Sequence, residues 1–418
     1  MLDRLNDRLA DHHLRTAFLV DQLGRRLNLR PKDHQLAVSS ALLHDLGLTP
    51  LGLRADDLLR EEDFDLHSQT GWLMLQTCPR LAEESWLVRY HHTDWSAVRL
   101  LPRERRRAGE LANLIRLADY LDISARIRPE PRAVRTALKG LANDIFGPDQ
   151  VEAARDLLFT PRLFPDLSQA ARELTLSATA ELALDEDEAL TFAFMFSKIV
   201  DSRSPFAAMH SVMTACLGLL LHQMAGGRTE DTQAIYMAGL LHDVGMLGVP
   251  QGPIEKRGAL SREEQARVSE HPALTYEILA GLPGFNRVAV WASCHHERLD
   301  GGGYPRGLKG GALPLESRVI AVADVLAALT EHRPHRRALS AREALKVLAG
   351  LVKSRALDGD LVEFIHHNIN YFSMLQHDTY HDNRPFFKGL INEMSIAARD
   401  RLSRAWRNIL DCPYPLSA

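Results

Sequence analysis

Histidine and aspartate recur twice in this chain of 418 residues, in one order and at nearly one spacing. The first set is His12, His44-Asp45, His67, His91-His92 and Asp119; the second is His210, His242-Asp243, His271, His295-His296 and Asp324. The second set trails the first by 198 residues at His12/His210 and His44/His242, by 204 at His67/His271 and His91/His295, and by 205 at Asp119/Asp324. One short deletion and one single-residue slip therefore separate two otherwise matching halves, which makes the chain two copies of one unit. Imidazole and carboxylate together are the ligand types of borderline divalent metals, so the chemistry on offer is a metal centre, built twice.

One His-Asp pair alone means little, because such pairs often sit on a surface or cap a helix. Here the pair ends an apolar helix in both halves (ALLHDLG and GLLHDVG), a doubled histidine follows it, and an aspartate lies inside a second apolar helix (LIRLADYL and VIAVADVL). An ionisable group among apolar neighbours is costly without a cation or a donor.

The elements that must position these residues are helical. Apolar residues recur at helical intervals, as at Leu5, Leu9, Leu14 and Phe18, at Ile235, Ala238 and Leu241, and at Val319, Val322, Leu326 and Leu329. Alternating strand patterns are scarce, which predicts an all-α protein of two tandem helical domains plus a C-terminal helical tail. Arg128–Pro131 (RPEP) breaks the helix carrying Asp119, Thr160–Asp166 is a proline-rich loop, and the acidic run Asp185–Glu188 suits a helix start. The expected domains are 1–180, 181–370 and a tail 371–418 holding a helix over about Pro385–Leu410. A net charge of −4 argues against binding a nucleic-acid polymer. Four scattered cysteines (Cys78, Cys216, Cys294, Cys412) fit buried thiols in a reducing compartment rather than a disulfide framework. The charged amphipathic N-terminus is unlike a signal peptide, and no apolar run is long enough to span a bilayer, so a cytoplasmic protein without membrane contact is expected.

The second half resembles the HD-GYP subfamily of the HD superfamily of metal-dependent phosphohydrolases. The resemblance rests on LLHDVGMLGVP (Leu240–Pro250), EHP (Glu270–Pro272), HHERLDGGGYPRGLKG (His295–Gly310), VAD (Val322–Asp324) and RPHRR (Arg333–Arg337). The first half resembles the wider HD superfamily: each ligand position is present, but the GYP loop is not. The resemblance implies an all-helical domain in which His210, His242, Asp243 and Asp324 hold one metal and Asp243 bridges to a second held by His271, His295 and His296. It implies two divalent ions in the second domain, iron or manganese, and one or two more in the first on His12, His44, Asp45, His67, His91, His92 and Asp119. His242 and Asp243 are its catalytic pair.

The resemblance also implies a substrate. Gly303, Tyr304 and Pro305 would pack against a cyclic dinucleotide, and Arg333 and Arg336 would hold its second phosphate by forked hydrogen bonds. Cyclic di-GMP and 3′,3′-linked cyclic GMP-AMP both fit, with hydrolysis of one 3′–5′ link releasing a linear 5′-phosphorylated dinucleotide. Three positions depart from the family pattern. Phe206 stands where three-metal members carry glutamate, Met246 and Leu48 stand where a substrate-touching lysine often follows the HD pair, and His335 replaces the commoner tyrosine. The first half has Thr93-Asp94-Trp95-Ser96 after its doubled histidine in place of the glycine loop, with the basic run Arg103–Arg107 nearby. With its ligands intact, this half would be a phosphomonoesterase acting on the linear product. The rival readings are a cyclic-dinucleotide-binding signalling adaptor and a general nucleotidase; a homodimer is left open.

Overall fold

The computed structural model describes residues 11–51, 61–127, 131–159, 184–204, 207–256, 258–333 and 336–393. Among these residues the ordered elements are helices, with no strand, and no helix is long and apolar enough to cross a membrane. Leu5, Leu9, the loop Thr160–Asp166, Phe206, His335 and Cys412 lie outside the described residues. The chain divides into two compact units, Leu2–Glu188 and Ala189–Ala418.

In the first unit, helices His12–Arg26, Pro31–Leu43, Glu61–Leu75, Ala82–Tyr90 and Arg103–Ile127 supply the framework. Leu111, Leu114, Ile115, Ala118 and Leu121 recur along one stripe of the last of these and are fully or nearly fully buried, against Leu19, Leu23 and Leu87. That burial fixes the rotation of the helix and so the direction in which Asp119 leaves it. The helix ends at Ile127 and the next begins at Pro131, which suits the proline at a first helical position.

The second unit repeats the plan with helices His210–Met224, Thr232–Leu241, His271–Ala280, Asn286–Ser293 and Leu315–Thr330. Val319, Ile320, Val322, Ala323 and Leu326 bury the faces that surround Asp324. The histidines cluster at helix ends: His12, His210 and His271 open helices, while His44, His91 and His242 directly follow them. The acidic run is used as a cap. Asp185 accepts a hydrogen bond from the backbone N–H of Glu188 at 2.8 Å, at the start of the helix Glu186–Asp201.

The tail differs from expectation. Its helix begins at Ile369 and runs to Glu393, through Pro385 rather than from it; beyond Glu393 the expected helix lies outside the described residues. Phe372, Gln376, Thr379 and Tyr380 are buried at helical spacing, and Gln376 donates to Thr330 Oγ1 at 2.7 Å. The buried stripe is half polar, which hides it from an apolar-periodicity reading.

One backbone contact recurs in both halves. A Cβ on Gly47 would come within 1.9 Å of the His67 carbonyl oxygen, and one on Gly245 within 2.0 Å of the His271 carbonyl oxygen. Glycine there lets the turn after each His-Asp pair lie directly on the helix carrying the next histidine. Gly245→Ala should destabilise its domain by about 3 kcal/mol, a fall of about 6–12 °C in unfolding midpoint. Calorimetry checks this; an unchanged midpoint would mean that the two segments part easily.

Candidate metal centres and the loop beside the second

In each half the repeated histidines and aspartates converge on one buried cluster. In the second, His210 Nε2 lies 3.2 Å from Asp324 Oδ1 and 3.8 Å from Asp243 Oδ2. Asp243 Oδ2 is 3.5 Å from His242 Nε2, and its Oδ1 is 3.1 Å from His271 Nε2 and 3.6 Å from His295 Nε2. Asp243 thus faces two groups of ligand atoms, one with each carboxylate oxygen. His296 stands at the rim, its Nδ1 4.0 Å from Asp324 Oδ2. In the first, His12 Nε2 lies 3.3 Å from Asp119 Oδ1 and 3.7 Å from Asp45 Oδ2, while Asp45 Oδ1 is 3.3 Å from His67 Nε2 and 3.8 Å from His91 Nε2. His44 Nε2 is 3.4 Å from Asp45 Oδ2, and His92 Nε2 is 3.0 Å from His67 Nε2. The fourteen ligand positions expected from the sequence all join one or other cluster.

The tautomers are fixed from outside. Nδ1 of His242 lies 2.7 Å from the Gly239 carbonyl, that of His271 2.6 Å from Val268, and that of His295 2.6 Å from Ala292. His44 and His91 bind the carbonyls of Ala41 and Val88 in the same way, at 2.8 and 2.7 Å. A carbonyl only accepts, so each Nδ1 carries a proton, and in the neutral ring each Nε2 turns a lone pair inward. His271 Nε2 and His295 Nε2 then face each other at 3.0 Å, an arrangement that repels unless a cation lies between or beside them. The Nε2 atoms of His44 and His242 are buried with no hydrogen-bond partner. Inward lone pairs with outer N–H groups anchored on carbonyls are what a metal requires of histidine, and sets such as His210/His242/Asp324 and Asp45/His67/His91/His92 have ligand atoms mutually within 4.8 Å.

Burial alone would raise Asp45 and Asp243, but the surrounding imidazoles outweigh it and hold both carboxylates well below their usual range. Burial and neighbouring imidazoles push His91, His92 and His295 well down, and burial carries His296 down to about 4. His12 and His210 go the other way. Burial opposes it, but hydrogen bonds and charges from Asp119, Asp122 and Asp45 push His12 up to about 10, and Glu331 with Asp324 pushes His210 well above its ordinary value.

Those two carboxylates, Asp122 and Glu331, escape a sequence reading. Asp122 Oδ2 meets His12 Nδ1 at 2.7 Å and is itself held by Arg15, whose Nε lies 2.7 Å from Oδ1. Glu331 Oε2 meets His210 Nδ1 at 3.1 Å and is held by Arg333 at 3.2 Å. Each half therefore carries a histidine–carboxylate–arginine chain, but the carboxylate comes three residues after Asp119 in one and seven after Asp324 in the other. His13 is a further omission: it lies beside His44 and Asp45, their ligand atoms mutually within 4.8 Å.

The glycine loop sits on the second cluster. The Tyr304 ring packs on His296 at 4.9 Å, and its backbone N–H donates to the His296 carbonyl at 3.2 Å. Buried Glu297, directly after the doubled histidine, accepts from the backbone N–H groups of Arg306 at 2.7 Å and Leu308 at 2.9 Å, pinning the loop from beneath. A Cβ on Gly303 would meet the Arg298 nitrogen at 2.4 Å, so only glycine allows the chain to close on itself here. Burial, then the charges of Asp243 and Asp324, push the Tyr304 phenol up to about 12.

The two arginines expected to share a phosphate are joined through their backbones, the N–H of Arg333 donating to the Arg336 carbonyl at 2.8 Å, and their side chains make different contacts. The Arg333 guanidinium reaches the cluster, 3.3 Å from His210 Nδ1. Arg336 instead donates to the carbonyls of Leu329, Ala328 and Arg337 at 2.8, 2.6 and 2.9 Å, closing the end of the helix that carries Asp324. A cation at a helix C-terminus finds unpaired carbonyls close by and satisfies them. In the first half the segment after His91-His92 folds down instead of forming a loop. Trp95 and Ser96 donate to the carbonyls of Ile145 and Asp144 at 3.1 and 2.9 Å. The run Arg103–Arg107 opens its helix about 18–24 Å along the axis from Asp119. There Arg107 pairs with Asp33 at 2.7 Å and Arg105 stacks on Trp86 at 3.7 Å, so the run serves the surface rather than the cluster.

Residues 194–361 and residues 9–124 each match a model described as HD domain. The chain is 28% identical over 382 residues to the 3'3'-cGAMP-specific phosphodiesterase 1 of Vibrio cholerae, covering 87% of this chain and 88% of that one. It is 37% identical over 208 residues to the 3'3'-cGAMP-specific phosphodiesterase 3 of the same organism, covering 49% of this chain and 45% of that relative, less than half its length. Among solved structures it shares its fold with a cyclic GMP-AMP specific phosphodiesterase of V. cholerae, at a TM-score of 0.59 and 23% identity, over 88% of this chain and 95% of the other.

Proposed function

We infer that this chain, which belongs to the HD-type metal-dependent phosphohydrolases and carries two HD domains in tandem, is a phosphodiesterase that opens cyclic dinucleotides. The observation that carries the reading is the position of Tyr304: the loop built on Glu297 and Gly303 lays this ring against His296, beside a cluster of inward-facing imidazole nitrogens. His210, His242, Asp243 and Asp324 would hold one divalent ion, and Asp243, His271, His295 and His296 a second; mixed imidazole and carboxylate donors suit iron or manganese. When bound, such ions lower the pKa of water and take up charge on phosphoryl oxygens.

The chain's own residues bind and orient. The Tyr304 phenol keeps its proton at neutral pH and so offers a donor and an aromatic face to a base or ribose. Gly303 lets the backbone approach the ligand. Arg333, steadied by Glu331, meets a phosphate at the edge of the cluster, while Arg336 holds the segment in place. Water attacks one phosphorus and the bond to the 3′ oxygen breaks, leaving a 3′ hydroxyl and a linear dinucleotide with a 5′ phosphate. Cyclic di-GMP and 3′,3′-cyclic GMP-AMP both satisfy this reading. Incubating manganese- or iron-loaded protein with each, and resolving products by mass, should give the linear species. Bound but intact cyclic dinucleotide across metals would make the chain a binding protein instead.

The first domain has the same set of ligand positions and no GYP loop after His91-His92, which suits a smaller phosphate monoester. We read it as the phosphomonoesterase that removes the 5′ phosphate from the linear product. Its cluster should take up metal with release of protons. His12 is raised to about 10 by Asp119, Asp122 and Asp45 over the opposing effect of burial, so its imidazole is protonated near neutral pH and a metal must displace that proton. Apparent metal affinity should therefore rise about tenfold per pH unit from about pH 6 to 9 for each proton displaced. Calorimetry in two buffers of different ionisation enthalpy measures it; a pH-independent affinity would remove His12 from the ligand set.

A further inference from the structure

The halves differ in sequence next to the second histidine of the doublet, yet both put an arginine there. In the second domain it is Arg298, two residues after His296 on the loop. In the first domain that place is taken by Asp94, two residues after His92, and the cation comes from a different element: Arg116, three residues before Asp119 on the helix Arg103–Ile127. The second domain has Ala321 at the matching helix position, with 4% of its surface exposed. The first domain thus takes its arginine from the helix and pairs it with Asp94, two residues after His92. Behind burial and the neighbouring imidazoles, the charge of Arg116 bears on His92 as that of Arg298 bears on His296.

Arg116 is built in rather than stray. One amino group pairs with Asp94 Oδ1, its guanidinium carbon lies 5.9 Å from the centre of the Phe146 ring, and its side chain is 22% exposed. Among the described residues Asp94 is the one carboxylate it meets. A planar guanidinium anchored at one corner keeps further N–H groups for a second acceptor. It stands on the same helix as Asp119, one turn away, on a neighbouring position of the same face.

We propose that Arg116 is the phosphate-binding residue of the first domain, contacting the terminal phosphate monoester of a linear dinucleotide while Asp94 holds its guanidinium in position. This rests on the reading of the first domain as a phosphomonoesterase, and it gives that domain a phosphate contact in place of the loop residues it lacks.

The test uses the full chain with the second cluster disabled by His242→Ala and Asp243→Ala. Inorganic phosphate is titrated calorimetrically into the manganese-loaded protein, with and without Arg116→Ala, Arg116→Lys or Asp94→Ala. Arg116→Ala should weaken phosphate binding about 10- to 100-fold and Arg116→Lys less, since one charge-assisted contact is lost or made less directional. Asp94→Ala keeps the cation but frees it to move, so phosphate affinity should fall by less than it does in Arg116→Ala. In the otherwise native chain, Arg116→Ala should raise KM for phosphate release from the linear dinucleotide more than it lowers kcat, with ring opening unchanged as the sign of an intact fold. Three results overturn the proposal: phosphate affinity unmoved by Arg116→Ala, equal losses from Asp94→Ala and Arg116→Ala, or no phosphate binding to the protein that retains Arg116. Arg116-dependent phosphate binding in a protein that releases no phosphate from the linear dinucleotide supports the role of Arg116 and removes the phosphomonoesterase reading alone.

Discussion

Asp243→Ala is expected to reduce opening of a cyclic dinucleotide by at least about 10³-fold. Asp243 is the residue that faces both groups of donors, one carboxylate oxygen 3.5 Å from His242 Nε2 and the other 3.1 Å from His271 Nε2. Removing it leaves a buried ring of imidazoles without the anion that balances a bound cation, so both metal positions weaken together. The loss should fall on kcat, because Tyr304, Gly303 and Arg333 remain to bind substrate. Metal content of the variant, measured by atomic emission, should drop with activity. A variant that kept its metal and its rate would remove Asp243 from the centre of the site.

A second large effect is expected at the other cluster. His44→Ala or Asp45→Ala should abolish phosphate release from the linear 5′-phosphorylated dinucleotide, again by about 10³-fold or more, and leave ring opening within a few-fold of the native rate. The clusters lie in separate compact units, each with its own carbonyl-anchored histidines. A substitution in one should therefore not unmake the other. Chromatography of the reaction would show linear dinucleotide accumulating in the variant. Unchanged phosphate release would leave the first cluster without a catalytic role.

The residues of the two clusters were legible in the sequence because each occurs twice in one order, and because a carboxylate such as Asp324, flanked by Ala321, Val322 and Ala323, is too costly to bury without a cation or a donor beside it. The helical architecture was legible because apolar spacing tracks the core at Leu111, Ile115 and Leu326. What supports the ligands was not. Asp122 and Glu331 do the same work from unrelated positions, so the repeat hides them rather than exposing them. Arg116 was hidden for the same reason, since its pairing with Asp94 joins positions 22 residues apart that have no counterpart in the second half. The bonds of Arg336 to the carbonyls of Ala328 and Leu329, at the end of the Asp324 helix, were not legible either, because only the folded chain brings them there. Glu297 lay in plain view in HHERLDGGGYPRG, but its purpose depends on the fold of a loop about ten residues long, and local pattern carries no such information.

The most direct test is a mass-resolved time course of 3′,3′-cyclic GMP-AMP with native protein, Asp243→Ala and Asp45→Ala side by side. Native protein should pass from the cyclic compound through the linear 5′-phosphorylated dinucleotide to the dephosphorylated dinucleotide. Asp243→Ala should leave the ring closed while still releasing phosphate from added linear dinucleotide, and Asp45→Ala should stop at the linear species. Ring opening by Asp243→Ala at the native rate, or ring opening lost in Asp45→Ala, would contradict the assignment of that step to the second domain.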